Sequence, residues 1–566
     1  MSTASAERAR DSAAAERSHP RRSALGRAGA DALALACLVA LTIMAAWPFL
    51  RSGGFFLDDW WLRGEAFYGT DAHRHGFFGM FPGLSHATGF RPVALPYFAI
   101  VLTLVGSHAW AAAIVAVTAT VALVIVSYAA LRVARVRVED ALAVAAVLAV
   151  IPWVSSTRFW MSASSTTIAI ALVVGGLAMG ARTLAAARGR ARWAWGIASL
   201  LALLAGVLTY EATAGLVGAG ILYYLAASRS LGRPQLGKWA ADVGVVAIAL
   251  AIFRTDTQNR RAPTSMWLDH ARALLNESAA LVRAGAVPDG RWGLAAQVLV
   301  AALAVALAGR FVTRRDAVVE AWRAGERRRL AACVACAIGG GLTGLAGYVV
   351  MVPAFPWYHP FQPGQGDRVN AVAAVGFAVL YGATAFAFAT VLALGLNRAA
   401  RAAVGLALTA LLVGAFVGQT HRQADRYVAA YRIADRTLAG MRAALPRGVR
   451  AGDTLLSFDR PANVALGYPA LGESWDLNGA VRTLFRTGRV RGFPIVEGQP
   501  VVCAGDRVQL PLNAARPPLY GPAFDAPYGA VVFVDAERGS AQRIDSSPEC
   551  RAALRNFPPG AYFASG

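Results

Sequence analysis

The chain has 566 residues, of which 56% are hydrophobic and only 16% are charged. Soluble globular proteins carry roughly 25% charged residues. With a mean hydropathy of +0.46, the composition therefore argues against a soluble protein and predicts a polytopic membrane protein. The net charge of +22 does not indicate nucleic-acid binding, because the arginines are spread between hydrophobic segments instead of forming one basic tail.

The hydrophobic segments begin after a polar N-terminus. Residues 1–30 are rich in Ala, Arg and Ser and are predicted to be disordered. A membrane-spanning helix needs about 20 apolar residues. We predict eleven spans: 31–50, 108–131, 140–155, 161–181, 193–209, 212–228, 239–254, 292–310, 330–353, 370–395 and 402–418. A shorter apolar stretch, 92–105, contains two prolines.

The positions of the arginines predict the orientation of these spans. If 92–105 does not cross the membrane, the arginine-rich loops alternate and share one side with the N-terminus. If 92–105 did cross, this bias would disappear. We therefore predict a multi-pass protein of the plasma (inner) membrane with a cytoplasmic N-terminus and an extracytoplasmic C-terminus. The predicted outer segments are 51–107, the turn 208–213, 255–291, 354–369 and all residues beyond 418.

A separate domain is predicted after the last span. Residues 419–451 show apolar residues at helical spacing and predict an amphipathic helix or linker. The C-terminal domain, residues 452–566, has short strand-like runs among Gly and Pro turns and is predicted to be a small α/β domain. Cys503 and Cys550 both lie in it. On the oxidising outer side of the membrane they are predicted to form a disulfide.

Two adjacent acids open the first outer loop. Asp58 and Asp59 interrupt the aromatic stretch 53–67, GGFFLDDWWLRGEAF. Carboxylates beside an apolar interface resist ionisation unless a cation or metal pairs with them. One interpretation is an interfacial anchor, in which Trp60 and Trp61 lie at headgroup depth and the acids face water. The other interpretation is a functional acid pair.

The position of this pair resembles the C-type (GT-C) glycosyltransferase superfamily. Its members are multispan enzymes that take a sugar from a polyprenyl-phosphate carrier, and a bacterial membrane enzyme of this kind is the expectation. Further stretches carry the resemblance, which covers residues 31–418: SHATGFRP with His86 and Arg91, the pair Tyr210 and Glu211, and GDR ending at Arg368.

The resemblance implies roles for these residues. Asp58 would act as general base on an acceptor hydroxyl. Asp59 would bind the acceptor or, together with Asp58, a divalent cation such as Mg, Mn or Ca. Arg368 and Arg91 would bind the donor phosphate, although snorkelling to the lipid headgroups would also explain two arginines there.

Further candidates for the same site are Glu211, Tyr210 and His86. A plain turn carboxylate would equally explain Glu211, and a solvated loop histidine would explain His86. The expected partners are a polyprenyl-phosphate sugar in the membrane and a glycan, lipid or protein acceptor of the cell envelope, with no nucleic acid.

Two other functions remain open from the sequence. A transporter or flippase would also be polytopic, but such proteins carry charges within their spans, and here the spans are nearly free of charge. A non-catalytic envelope-assembly protein could keep the same helical bundle. It would differ in not needing Asp58 and Asp59 for activity.

Overall fold

The computed structural model describes residues 28–561 with the exception of 70–75, 89–90, 188, 254–262, 287–325, 354–358, 362, 365, 395, 459 and 512–523. The helices are α1 (Ala28–Leu50), α2 (Asp58–Tyr68), α3 (Phe81–Thr88), α4 (Ala94–Val105), α5 (Ala109–Val133), α6 (Val138–Val150), α7 (Ser155–Phe159), α8 (Ser164–Ala185), α9 (Arg190–Thr209), α10 (Ala214–Gly218), α11 (Gly220–Ser228), α12 (Arg233–Phe253), α13 (Trp267–Ala286), α14 (Arg327–Val349), α15 (Asn370–Leu392), α16 (Arg398–Ala444), α17 (Ser474–Phe485) and α18 (Ser547–Ala553). Short 3₁₀ turns lie at Phe77–Met80, Pro152–Val154, Glu211–Thr213, Thr264–Met266 and Gly366–Val369. With the strands given below, these elements confirm the predicted fold class of a mainly helical membrane protein with a small C-terminal α/β domain.

Seven helices of the described chain are long and apolar enough to cross a membrane, judged by length and composition. They are α1, α5, α8, α9, α14, α16 and α15 with the 3₁₀ turn before it. An eighth candidate consists of α6 and Pro152–Phe159, which meet at a bend of 51°. Pro152 explains the bend, because proline has no N–H donor and cannot continue a helix in the ordinary way. The chain is therefore a multi-pass membrane protein.

Besides the bent pair, two of the eleven predicted spans fall in the described residues without forming one long apolar helix. Residues 212–228 are divided between a 3₁₀ turn, α10 and α11. The described part of the span 239–254, residues 239–253, falls in α12, whose first half carries Lys238 and Asp242. Residues 292–310 lie outside the described part of the chain. The number of eleven thus stays a prediction.

The apolar stretch 92–105 forms the short helix α4. It has 12 residues, which corresponds to about 18 Å of helix. The hydrocarbon core of a bilayer is about 30 Å thick. A helix of this length does not cross it, as the arginine pattern requires.

Charged side chains gather at the two ends of the bundle. Arg132 pairs with Asp31 at 2.8 Å and Arg398 with Glu139 at 3.2 Å, and both arginines come from predicted cytoplasmic loops. At the other end, Arg91 before α4 contacts the turn before α10, Arg368 before α15 contacts Asp58 of α2, and α2 packs against the C-terminal domain. The segments that the arginine pattern assigns to one side therefore lie together at one end. That this end faces outward remains a prediction.

Reporter fusions test this orientation. We expect alkaline phosphatase fused after residue 440 to be active, because the enzyme needs an oxidising compartment, and the same enzyme fused after residue 185 to be inactive. The measurement is phosphatase activity per amount of fusion protein. The reverse pattern at either position would overturn the predicted orientation.

The last span and the predicted amphipathic helix are one continuous helix. α16 has 47 residues, about 70 Å in length, and no proline interrupts it. The Asn397 side chain caps its start by accepting a hydrogen bond from the Ala400 N–H. In its second half Tyr427, Ala434 and Met441 are buried, so the predicted apolar face packs inward. The helix therefore carries the chain out of the bundle without a linker.

The C-terminal domain contains a mixed β-sheet. The strands are β1 (Thr454–Phe458), β2 (Asn463–Ala465), β3 (Tyr468–Pro469), β4 (Arg491–Pro494), β5 (Val502–Ala504), β6 (Arg507–Leu510), β7 (Phe524–Pro527), β8 (Val531–Asp535) and β9 (Ser540–Ile544). The four-stranded sheet has the order β4-β1-β8-β9, with β1 parallel to β4 and β8. α17 connects β1 to β4, as parallel neighbours require a crossover. β5, β6 and β7 form a second, antiparallel sheet.

A disulfide joins the two cysteines of the C-terminal domain. Cys503 and Cys550 have an S–S distance of 2.00 Å and a Cα–Cα distance of 5.9 Å. The bond connects β5 to α18, across a sequence separation of 47 residues. It therefore ties the second sheet to the final helix.

Candidate functional site

The two acids begin helix α2 in different environments. Asp59 is fully buried, and its two carboxylate oxygens accept hydrogen bonds from the Phe56 N–H at 3.0 Å and the Ser162 N–H at 2.7 Å. Trp60 is buried as well and packs on Phe55 with 5.2 Å between the ring centroids. The interfacial-anchor interpretation does not hold for Asp59 and Trp60, because it requires both acids to face water and both tryptophans to lie at headgroup depth.

Asp58 forms an ion pair with Arg368. The Arg368 Nη2 donates to Asp58 Oδ2 at 2.9 Å, and the two side chains are 18% and 25% exposed. The guanidinium carbon lies 5.1 Å from the centroid of the Trp160 ring, a distance typical of cation–π contacts. A candidate base and a candidate phosphate-binding group therefore share one partly exposed site.

A second ion pair lies beside the first. Arg91 donates from Nε and Nη2 to the two carboxylate oxygens of Glu211, at 2.9 and 2.7 Å, the paired geometry that guanidinium and carboxylate favour. Its guanidinium lies 5.3 Å from the Tyr210 ring centroid. Arg368 is within Coulombic range of Arg91. The two pairs thus form one charged cluster. It brings together five residues that the sequence singles out: Asp58, Arg368, Arg91, Glu211 and Tyr210.

A segment that was not predicted from the sequence connects Asp58 and Asp59. The bent segment, residues 152–163, follows α6. Its Ser162 N–H binds Asp59, and its Trp160 ring lies against Arg368. The two acids are therefore linked through one stretch of chain about a hundred residues further along.

A sequence signal for this segment exists. Residues 155–167 contain eight Ser or Thr residues and one Arg, and polar residues inside membrane segments are costly unless they have a partner. In the structure Ser155 and Ser156 bind the Asp367 carboxylate. Asp367 directly precedes Arg368 and also escaped the sequence reasoning.

The C-terminal domain packs directly against the helix that carries the acids. A Cβ atom at Gly64 of α2 would lie 2.5 Å from the Cα of Gly479 in α17, so only glycines permit this approach. Glu65 and Arg482 form an ion pair at 2.5 Å across the same contact. The arrangement of α2 therefore depends on the C-terminal domain.

The two acids of the pair do not form a site that converges on a divalent cation. Both oxygens of Asp59 accept backbone N–H groups, and Asp58 pairs with a cationic side chain, so in this arrangement the two carboxylates do not converge on one point. No group of three His, Cys, Asp or Glu side chains in the described residues could hold a metal ion. His86 lies in α3, and its side chain is outside what the structure describes. The proposed metal role of Asp58 and Asp59 stays a prediction.

Burial of Asp59 makes stability depend on pH. Burial raises the pKa of Asp59 from its ordinary value of 3.8 to about 6, although hydrogen bonds from Ser162 and Phe56 oppose the shift. Because the folded protein holds this proton more tightly, the contribution to stability is present below pH 3.8 and is lost as the pH rises through about 6. The difference corresponds to about 3 kcal/mol.

We expect the variant Asp59→Asn to lose this part of the pH dependence. The measurement is the thermal unfolding temperature of purified protein between pH 4 and pH 7, compared with that of the wild type. Identical pH profiles of the two proteins would contradict the raised pKa of Asp59.

No protein-family model matches the chain, and no curated protein matches it. Among solved structures, the chain is similar to a crystal structure of the Archaeoglobus fulgidus oligosaccharyltransferase in complex with Zn and sulfate, with a TM-score of 0.38 and 12% sequence identity. The match covers 81% of this chain and 62% of the archaeal one, less than two thirds of its length.

Proposed function

We propose that this protein is an integral membrane glycosyltransferase. It transfers a sugar from a polyprenyl-phosphate carrier to a glycan, lipid or protein acceptor of the cell envelope at the extracytoplasmic face. The observation that carries the proposal is the ion pair between Asp58 and Arg368 at 2.9 Å. It sets a carboxylate that can accept a proton beside a guanidinium that can bind a phosphate.

Binding of the donor would separate this pair. A phosphate and the Asp58 carboxylate compete for the same guanidinium, and arginine binds phosphate through two parallel hydrogen bonds. Once Arg368 holds the phosphate, Asp58 is released and can accept a hydrogen bond from an acceptor hydroxyl. The substrate itself would thus convert a resting ion pair into a free base.

The transfer step joins the acceptor to the sugar and releases the carrier. The acceptor oxygen forms a bond to the anomeric carbon of the sugar, and its proton passes to Asp58. The bond between that carbon and the phosphate oxygen breaks through an oxocarbenium-like state, and the electron pair leaves with polyprenyl phosphate. The leaving group is an anion that cations stabilise, so the step needs Arg368 and no protonating acid.

The other residues of the cluster support this step. Arg91, with Glu211 as its resting partner and Tyr210 beneath it, is a second cation for the phosphate. Asp59 accepts two backbone N–H groups and so orients the start of α2, on which Asp58 stands. This is a more structural role than the metal or acceptor binding that the resemblance implies for Asp59.

Substitution of the phosphate-binding arginine tests the proposal. We expect Arg368→Ala to raise the KM for a polyprenyl-phosphate sugar by roughly 10- to 100-fold, the loss of a charge-assisted hydrogen bond of about 1.5–3 kcal/mol, with a smaller change in kcat. The measurement is sugar transfer in membranes with a panel of polyprenyl-phosphate sugars. Arg51→Ala, an exposed arginine after α1, is the matched control. Equal KM values for Arg368→Ala and the control would contradict a donor site at Arg368.

A further inference from the structure

The carboxylate next to Arg368 in sequence is enclosed by hydrogen-bond donors. Asp367 is 2% exposed. Its Oδ2 accepts from the Ser155 N–H at 2.8 Å and the Ser155 hydroxyl at 2.5 Å, and its Oδ1 accepts from the Ser156 N–H at 3.1 Å and the Ser156 hydroxyl at 2.6 Å. Four bonds to one buried charge hold this side chain in a single orientation.

These donors belong to the short helix that precedes Trp160. Ser155 and Ser156 form the first turn of α7, where backbone N–H groups have no partner within the helix. Asp367 supplies that partner from a distant part of the chain. Trp160 follows the last residue of the same short helix, with its ring against the guanidinium of Arg368. The bonds at the start of α7 thus anchor the short helix that leads to the ring, which also packs on Tyr427.

Arg368 itself is held from both sides. Asn370, two residues later, donates from Nδ2 to the carbonyl groups of Trp153 at 2.9 Å and Pro360 at 2.8 Å. Its Oδ1 accepts from the Tyr348 hydroxyl at 2.6 Å. The backbone of Arg368 therefore runs between two buried anchors, Asp367 and Asn370, and its side chain leaves this turn toward Asp58.

We propose that Asp367 is a positioning residue for the donor phosphate. It orients Arg368 through the shared backbone and Trp160 through α7, so that the guanidinium faces the phosphate-binding position beside Asp58. Asp367 touches neither substrate nor the reacting atoms. The inference rests on the proposed function, because it assigns Asp367 a role in a phosphate site that the function requires.

Binding of polyprenyl phosphate without a sugar tests the inference apart from catalysis. The measurement is the Kd of the purified full-length protein in lipid nanodiscs, for wild type, Asp367→Asn, Arg368→Ala and the double variant. We expect Asp367→Asn to weaken binding by roughly tenfold, since an amide cannot accept from all four donors. When Asp367→Asn is added to Arg368→Ala, binding should weaken no further, because both changes remove the same interaction with the phosphate.

A merely structural role would give a different pattern. Asp367→Asn would then weaken binding by the same factor in both backgrounds, and this additivity would overturn the inference, as would a wild-type Kd for Asp367→Asn. If Asp367→Asn does not fold, Ser156→Ala, which removes one donor, replaces it in the same cycle, with an expected weakening of roughly threefold. Asp269→Asn, with an 80% exposed side chain in α13, should bind as the wild type does.

The same experiment separates the two proposals. A wild-type protein that binds polyprenyl phosphate in a manner dependent on Arg368, with Asp367→Asn equal to wild type, overturns only the role of Asp367. A wild-type protein that does not bind polyprenyl phosphate overturns the proposed function and the inference together.

Discussion

Asp58→Asn is expected to lower the rate of sugar transfer by roughly 10²–10⁴-fold, the usual cost of losing a general base. Asparagine keeps the size of the side chain but cannot take up the proton of the acceptor hydroxyl. It also leaves Arg368 with a neutral neighbour, which should not weaken binding of an anionic donor. We therefore expect kcat to fall while the KM for the donor stays within a few-fold of the wild-type value.

The measurement is transfer from a polyprenyl-phosphate sugar in membranes with protein amounts matched by blot. Asp269→Asn is the control, because this acid belongs to another predicted outer segment and its side chain is 80% exposed. If Asp58→Asn transfers at the rate of that control, Asp58 is not the base.

The second large effect is expected at the contact between α2 and the C-terminal domain. A Cβ atom at Gly479 would lie 2.2 Å from the Trp60 carbonyl oxygen and 2.7 Å from the Trp61 Cα. Both are backbone atoms and cannot turn away, so Gly479→Ala must push α17 off α2. Overpacking of this kind costs about 1–3 kcal/mol. Because α2 carries Asp58, we expect transfer to fall at least tenfold.

Two measurements check this expectation. The thermal unfolding temperature should fall, and protease should cleave the C-terminal domain faster in Gly479→Ala than in the wild type. Gly505→Ala is the matched control in the same domain, since a Cβ there meets open space. Equal protease sensitivity and equal transfer in the two variants would show that the domain does not support α2.

The fold was predictable where its cause is local. Long apolar runs predict spans, and the alternation of the arginine-rich loops predicts that 92–105 forms a helix that does not cross. The continuity of α16 was not predicted, because the change from an evenly apolar to a one-sided pattern near residue 419 resembles a boundary. The backbone has no reason to stop there, since no proline or glycine-rich turn follows.

The site was predictable only in part. The sequence shows Asp58 among aromatic residues, but its partner Arg368 is 310 residues away, and which arginine meets which acid depends on the packing of the bundle. The partner of Glu211 is not predictable from the sequence either, because 120 residues separate it from Arg91. The role of Asp367 was missed for the same reason, as its donors are about 211 residues distant.

The burial of Asp59 could not be read from the sequence either. Adjacent residues at the start of a helix point in different directions, so one acid of the pair faces the charged cluster while the other faces the chain interior. Which of the two is buried depends on the bent segment, whose Ser162 N–H meets Asp59. Local pattern therefore identifies the pair, and only packing distinguishes its members.

The most direct test of the central claim is the lipid composition of cells that lack this protein. We predict that a deletion strain accumulates one polyprenyl-phosphate sugar, measured by mass spectrometry of extracted lipids. A plasmid carrying the wild-type chain should return that lipid to its normal level, and one carrying Asp58→Asn should not. An unchanged polyprenyl-phosphate-sugar pool in the deletion strain, or full restoration by Asp58→Asn, would contradict the account.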